Sequence, residues 1–157
     1  MNMLAEIEGK IYGAIATHGP EGFASPFPDT LFPCLIWDHD GHFTDARRST
    51  VARALLKSGC RYAVCGGQSC EVWHDAVDTE FLQQHLDDPE ELRETVHVMT
   101  TWHVGESPDD VALFFVLNTN YDNHDFKRYL VLHVGIGKTR EQVDAAVRGY
   151  ARNRKSV

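Results

Sequence analysis

Short β-rich runs alternate with helical patterns from Pro33 to the end of the chain, and this alternation constrains the fold more than any other feature of the sequence. It is typical of right-handed βαβ units, in which a helix connects two parallel strands of one sheet. We therefore predict an α/β fold with three αβα layers, a mostly parallel sheet of about four strands and an extra N-terminal helix. The predicted strands lie near 34–38, 61–65, 95–101 and 129–134.

Helix start signals separate these runs. Thr44 and Ser69 are placed to cap the helices that follow the first two strands. Ser107 followed by Pro108 is a strong start signal, because proline is favoured at the first helical position. Thr139 begins a possible capping box before the last helix. These signals predict one helix after each strand.

The N-terminal region carries a helical pattern of its own. Its apolar residues recur at helical spacing and predict a helix over about residues 2–17 that packs against the body or against a second chain. If the protein forms an oligomer, we predict that this helix makes the contact between chains. The residues that form the pattern are Leu4, Ile7, Ile11, Ala14 and Ile15.

A proline- and glycine-rich stretch follows this helix. Residues 18–33 contain four prolines and two glycines, which predict a surface connection without regular structure. We expect one α/β domain over 1–157, with the N-terminal helix and connection in 1–32 and the βα core in 33–157.

Length and charge limit the classes of function. A chain of 157 residues can bury a full core without disulfides or a structural metal. The formal charge of −8 argues against nucleic-acid and anionic-membrane partners, since both require clustered cations. No apolar run reaches the roughly 20 residues that span a membrane. We expect a soluble, cytoplasmic protein, because the N-terminus lacks a secretory pattern.

Polar residues follow each predicted strand. The carboxyl ends of parallel strands meet at one edge of a sheet, where open α/β sheets bind their ligands. We therefore expect a functional rim there, in which Gly66, Gly67, Thr100, Thr101, Trp102 and His133 contact a ligand. The candidate catalytic residues on the same rim are Asp38, Asp40, Cys65 and His103.

One interpretation of this rim is metal-assisted phosphoryl transfer. The segment Asp38–Gly41 resembles the opening motif of haloacid dehalogenase-like phosphohydrolases, and 104–110 resembles their late metal-binding loop. The resemblance implies that Asp38 is the nucleophile, that Asp40 is the acid and base, and that Asp109 joins them in holding Mg²⁺. The lysine of that family has no equivalent in the expected place, since Lys57 is the only lysine between the two segments.

A second interpretation is thiol chemistry. Cys65 ends a strand and precedes two glycines, which resembles the nucleophile elbow of cysteine hydrolases related to amidotransferases. His103 or His74 would then be the base, and Asp38 would orient it. The alternative, which we favour over a reactive thiol, is that Cys65 is an inert core cysteine.

The loop Gly135–Thr139 lies between the last strand and the last helix. It lacks the glycine spacing of a phosphate loop. It is either a capped connection or, with Lys138 beside a helix N-terminus, a place for an anion.

The third interpretation is nonenzymatic. The chain as a whole is similar to uncharacterised bacterial Rossmann-like domains, which implies a Rossmann-like sandwich and no particular activity. An acidic domain with incomplete catalytic motifs suits a binding or regulatory role, of ligand-sensing, inhibitory or immunity type. Its partner would be a protein or a small-molecule ligand. We rank this interpretation above the two enzymatic ones.

Overall fold

The computed structural model describes residues 1–17, 23–121 and 123–154, and it contains six strands and five helices within them. The strands are β1 (Asn2–Ile7), β2 (Lys10–Thr17), β3 (Phe32–Asp38), β4 (Cys60–Gly67), β5 (Met99–Trp102) and β6 (Arg128–Val134). The helices are α1 (Asp45–Lys57), α2 (Cys70–Gln84), α3 (Glu90–Thr95), α4 (Pro108–Leu117) and α5 (Arg140–Asn153). The prediction of an α/β fold with a mostly parallel sheet is confirmed.

The six strands form one sheet in the order β1-β2-β6-β3-β4-β5. All neighbouring strands are parallel except β1 and β2, which are antiparallel. From β3 the chain proceeds to β4 and β5 on one side, and it then returns to place β6 on the other side. The strand order therefore reverses between β3 and β6, which makes their carboxyl ends the topological switch point of the sheet.

The central strands are buried on both faces. Alternate residues of β3 point to opposite faces, so Ile36 joins one apolar cluster while Leu35 joins the other. The first cluster contains Val51 of α1 and Trp73 of α2. The second contains Val111 of α4, with Val143 of α5. The helices that follow β3 and β6 therefore cover different faces.

The predicted helix over residues 2–17 is wrong, because this segment forms the hairpin of β1 and β2. Glu8 and Gly9 both have positive φ, at 52° and 78°, as the two central residues of a type I′ hairpin turn require. The alternation of buried and exposed residues that identifies a strand is interrupted in both β1 and β2. β1 contains a register shift between Met3 and Ala5, and three consecutive residues of β2, 12–14, are buried. Residues 2–17 therefore provide no helix for the predicted contact between chains.

The remaining boundaries follow the predictions closely. The third predicted strand, 95–101, shortens to β5, because α3 occupies residues up to Thr95. Residues 18–22 of the predicted connection lie outside the described residues. Within the part of the chain that the structure describes, no helix is long and apolar enough to cross a membrane.

Two of the four predicted side-chain caps are present. The hydroxyl oxygens of Thr44 and Ser107 accept hydrogen bonds from the third residue of α1 and of α4, respectively. Ser69 and Thr139 occupy N-cap positions, but their side chains make no cap hydrogen bond. The hydroxyl of Thr139 instead contacts His39, at 3.1 Å.

Candidate functional site

The switch point brings the β3–α1 loop and the β6–α5 loop side by side. The backbone N–H of His39 donates to the carbonyl of Val134 at 2.9 Å. In return, the backbone N–H of Ile136 donates to Oδ2 of Asp40 at 3.0 Å. These two bonds fix the loops to each other at the carboxyl end of the sheet.

Four polar side chains form a continuous hydrogen-bonded chain at this point, which we call the imidazole chain: Thr139, His39, His133 and Asp144. Oδ1 of Asp144 lies 2.7 Å from Nε2 of His133. Nδ1 of His133 lies 2.9 Å from Nε2 of His39, whose Nδ1 lies 3.1 Å from Oγ1 of Thr139. Asp144 and His133 are 2% and 1% exposed, whereas His39 and Thr139 are half-buried. The chain thus runs from the core to the surface.

The residue periodicities of β6 and α5 determine the direction in which His133 and Asp144 point. Leu132 and Val134 face the first apolar cluster, so His133 between them faces α5. Asp144 follows the buried Val143 on the covered side of α5. A Cβ atom on Gly137 would lie 2.7 Å from Cβ of His39, so glycine allows the β6–α5 loop to lie this close to the imidazole ring.

Burial and charge set the protonation of the two loop residues. Burial lowers the pKa of His39, and repulsion from a charged His133 lowers it further. His39 is therefore neutral at physiological pH. Backbone hydrogen bonds from Ile136 and His42 lower the pKa of Asp40, so its carboxylate stays ionised. The site combines a neutral base with a fixed negative charge.

The lowered pKa of His39 predicts acid sensitivity. The unfolded chain, in which the histidine pKa is about 6.5, binds more protons than the folded chain. Stability is therefore fully present above that value and is lost as the pH falls through the folded pKa. We expect the thermal unfolding midpoint to fall between about pH 7 and about pH 5, and to fall less in a His39→Gln variant.

His42→Gln is the matched control for this pH series, because His42 lies three residues away with a side chain that is 84% exposed. It should retain the pH dependence of the wild type. An equal slope in all three proteins would contradict the assignment to His39.

Asp38, the predicted nucleophile, is fully buried and its oxygens are occupied. Nε1 of Trp73 donates to Oδ2 at 2.8 Å, and the backbone N–H of Gly41 donates to Oδ1 at 2.8 Å. The N–H of Asp40 donates to the same Oδ1 at 3.2 Å. These bonds close the β3–α1 turn onto α2. The carboxylates of Asp38 and Asp40 therefore engage different partners.

Asp109, the third predicted metal ligand, belongs to another part of the structure. It lies in the first turn of α4, and its carboxylate accepts a hydrogen bond from the hydroxyl of Tyr150 at 2.6 Å. Asp38 faces the first apolar cluster through Trp73, whereas α4 packs against the second. No group of three or more His, Cys, Asp or Glu among the described residues is arranged to hold a metal ion.

Cys65 and His103, the predicted nucleophile and base, lie on opposite faces of the sheet. Cys65 is fully buried in the first cluster, and burial raises the pKa of its thiol well above the ordinary range. The His103 ring packs against Phe114 on the other face, and its Nδ1 lies 2.8 Å from Glu106. The alternative base, His74, pairs with Asp75 at the protein surface, where its Nδ1 lies 2.9 Å from Oδ1 of the carboxylate.

Of the remaining predicted rim residues, Gly67 lines a second, separate cavity, and the others contact different neighbours. A cavity of about 610 Å³ lies beyond β4, with Gly67, Glu71 and Glu106 in its lining. Gly66 lies beneath the ring of Trp37, with no space for a side chain. The other three residues contact their neighbours outside this cavity: Thr100 donates to Asp78, Thr101 contacts His103, and Trp102 packs on His74.

The sequence predicts His133 as a ligand contact, whereas the structure places its side chain 1% exposed between Asp144 and His39. Its partners carry weaker signals: His39 stands inside an acidic motif, and Thr139 is both a predicted helix cap and the last residue of the loop Gly135–Thr139. Asp144 had a signal: it is a carboxylate inside the apolar stripe of α5, next to Val143 and one turn before Val147. A charged residue in such a stripe requires a buried partner.

Comparison with known proteins identifies a family for this chain. A family model described as a domain of unknown function (DUF7684) matches residues 15–149. Comparison with curated proteins and with solved structures gives no match. The matched residues include the whole imidazole chain.

Proposed function

We propose that the chain, which belongs to the DUF7684 family of domains of unknown function, is a small binding or regulatory domain. Its ligand is a small polar molecule, bound at the carboxyl ends of β3 and β6. The imidazole chain carries this proposal, because it reaches the surface at the topological switch point, the usual ligand site of an open α/β sheet. We also propose that the fold is a three-layer Rossmann-like sandwich, which the helices on both faces of the sheet support.

The chemistry of the surface residues favours a polar ligand. His39 and Thr139 are half-buried, so a ligand can reach them without unfolding the loops. His39 offers an imidazole, while Lys138 and Arg140 are exposed cations beside it. A molecule with hydroxyl or anionic groups would pair with these residues.

The two enzymatic interpretations have weaker support. A nucleophilic Asp38 would have to give up three internal hydrogen bonds. A nucleophilic Cys65 would have to ionise inside an apolar cluster. Mg²⁺ would have to be held without a convergent ligand group among the described residues. We therefore favour binding at the switch point.

Thermal unfolding in the presence of small probes tests the proposal. Phosphate, citrate, glycine, glucose and adenosine monophosphate are each added to wild type, His39→Gln and His42→Gln. We expect at least one probe to raise the midpoint of wild type and His42→Gln by about 3 °C, the shift that about 1 kcal/mol of binding energy gives in a domain of this size. The shift should be lost in His39→Gln. Equal shifts in all three proteins, or none, would overturn it.

A further inference from the structure

We propose that Thr139 is the nucleophile of an acyl-transfer site, with His39 as its base, and that the substrate is an ester. This inference rests on the proposed function, because the ester would occupy the ligand site between β3 and β6. It assigns a reaction to the imidazole chain and a role to each of its members.

The hydrogen bonds of the imidazole chain can all point in one direction. An ionised Asp144 only accepts, so Nε2 of His133 donates to it. In the tautomer of His133 with its proton on Nε2, Nδ1 accepts from Nε2 of His39. A neutral His39 accepts at Nδ1, which leaves the hydroxyl of Thr139 as the donor. In this tautomeric arrangement the Thr139 proton points at the Nδ1 lone pair of His39.

This arrangement has the parts of an activated nucleophile. A hydroxyl lies within hydrogen-bond reach of a base, and a third group orients that base. His133 and Asp144 are positioning residues here, since both are buried: His133 contacts the base His39, and Asp144 contacts His133. The two imidazole rings are nearly parallel, with an interplanar angle of 24° and centroids 5.1 Å apart, which restrains His39 further.

The start of α5 supplies the complementary charge. Thr139 does not cap this helix of 14 residues with its side chain, so its hydroxyl is free for His39. The first N–H groups of a helix have no partner inside the helix and can stabilise a developing oxyanion. Thr139 has φ −92° and ψ 3°, in the bridge region where many active-site residues lie.

The reaction balances with water as the only co-reactant. Oγ1 of Thr139 adds to the ester carbonyl carbon while its proton moves to Nδ1 of His39. The carbon–oxygen bond to the leaving alcohol then breaks, and His39 returns the proton to that alcohol. Water attacks the acyl-threonine, gives a proton to His39 and releases the acid. Thr139 recovers its proton from His39.

An alkyl fluorophosphonate tests the nucleophile directly. Oγ1 would form a bond to phosphorus, fluoride would leave, and the Thr139 proton would pass to His39. We expect one adduct per intact chain by mass spectrometry, located at Thr139 by peptide mapping. Thr139→Ser should be labelled and Thr139→Val should not. Thr50→Val, which removes an exposed hydroxyl on α1, should be labelled like wild type.

The dependence on the imidazole chain is tested by rate and by pH. His39→Gln should lower the labelling rate about 100-fold, a typical contribution of a general base. Asp144→Asn should move the midpoint of the pH–rate profile to lower pH, because it removes the carboxylate that stabilises the proton taken up by the chain. If Asp144 acts only in folding, that midpoint will stay unchanged in the folded fraction, which is checked by urea unfolding.

Each negative result has a definite meaning. An unlabelled wild type, labelling at another residue, or an equal rate in His39→Gln would overturn the inference. His39-dependent probe binding without labelling would overturn only the acyl-transfer step. Loss of both would overturn the proposed function as well.

Discussion

Replacing Asp38 by alanine is expected to lower the free energy of unfolding by about 4 kcal/mol. The carboxylate is fully buried and accepts from Trp73 and from two backbone N–H groups of the β3–α1 turn. Removal of this acceptor leaves the indole N–H of Trp73 buried without its partner, and it opens a polar cavity beneath the turn. Urea unfolding at equilibrium would measure the loss.

Asp87→Ala is the control for this variant, since Asp87 is an exposed carboxylate. It should change stability by no more than about 0.5 kcal/mol. Asp38→Asn should fall between the two, because its amide offers only one oxygen for the three donors. A loss below about 1 kcal/mol in Asp38→Ala would contradict the structural role. Activity lost in an Asp38 variant would accordingly require proof of folding before any catalytic conclusion.

Gly67→Ala should lower the free energy of unfolding by about 3 kcal/mol. Gly67 has φ +76°, a conformation that costs an alanine roughly 1–2 kcal/mol. Its Cβ would also overlap the backbone carbonyl of Asp38, which belongs to a central strand and cannot move aside cheaply. Both strand ends would have to separate, and this edge of the cavity beyond β4 would deform.

Gly105→Ala separates the two contributions. Gly105 has φ +70° and lines the same cavity, but a Cβ there would meet nothing within 4 Å. Its substitution should cost about 1 kcal/mol, from backbone conformation alone. Equal losses in the two variants, measured by urea unfolding, would show that the overlap at Gly67 is relieved without cost.

The core of the fold was predictable because its signals are local. β3 and β6 are continuous apolar runs bounded by turn residues, and proline after Ser107 marks the start of α4. The hairpin at the N-terminus was not predictable in this way. Its turn residues, Glu8 and Gly9, stand inside a pattern that also fits a helix, and burial on both faces of β2 removes the alternation that identifies a strand.

The candidate site was predictable in place but not in detail. The end of the sheet could be located from sequence, because the carboxyl ends of parallel strands share an edge. The partners of each side chain depend on which face it points to, and a single residue decides that. His39 and Asp38 are neighbours in sequence, yet one contacts His133 above α5 and the other contacts Trp73 of α2. The strand order that unites His39 and His133 is a tertiary property.

The two outer strands have a consequence for behaviour in concentrated solution. β5 has only four residues, and β1 bends at its register shift before the tight turn to β2. Open strand edges are templates for intermolecular pairing, and short or irregular edges suppress it. The long parallel strands, which are the best templates for aggregation, lie inside this frame. We therefore expect the hairpin to limit edge-to-edge association between copies of this domain, whatever ligand the domain binds.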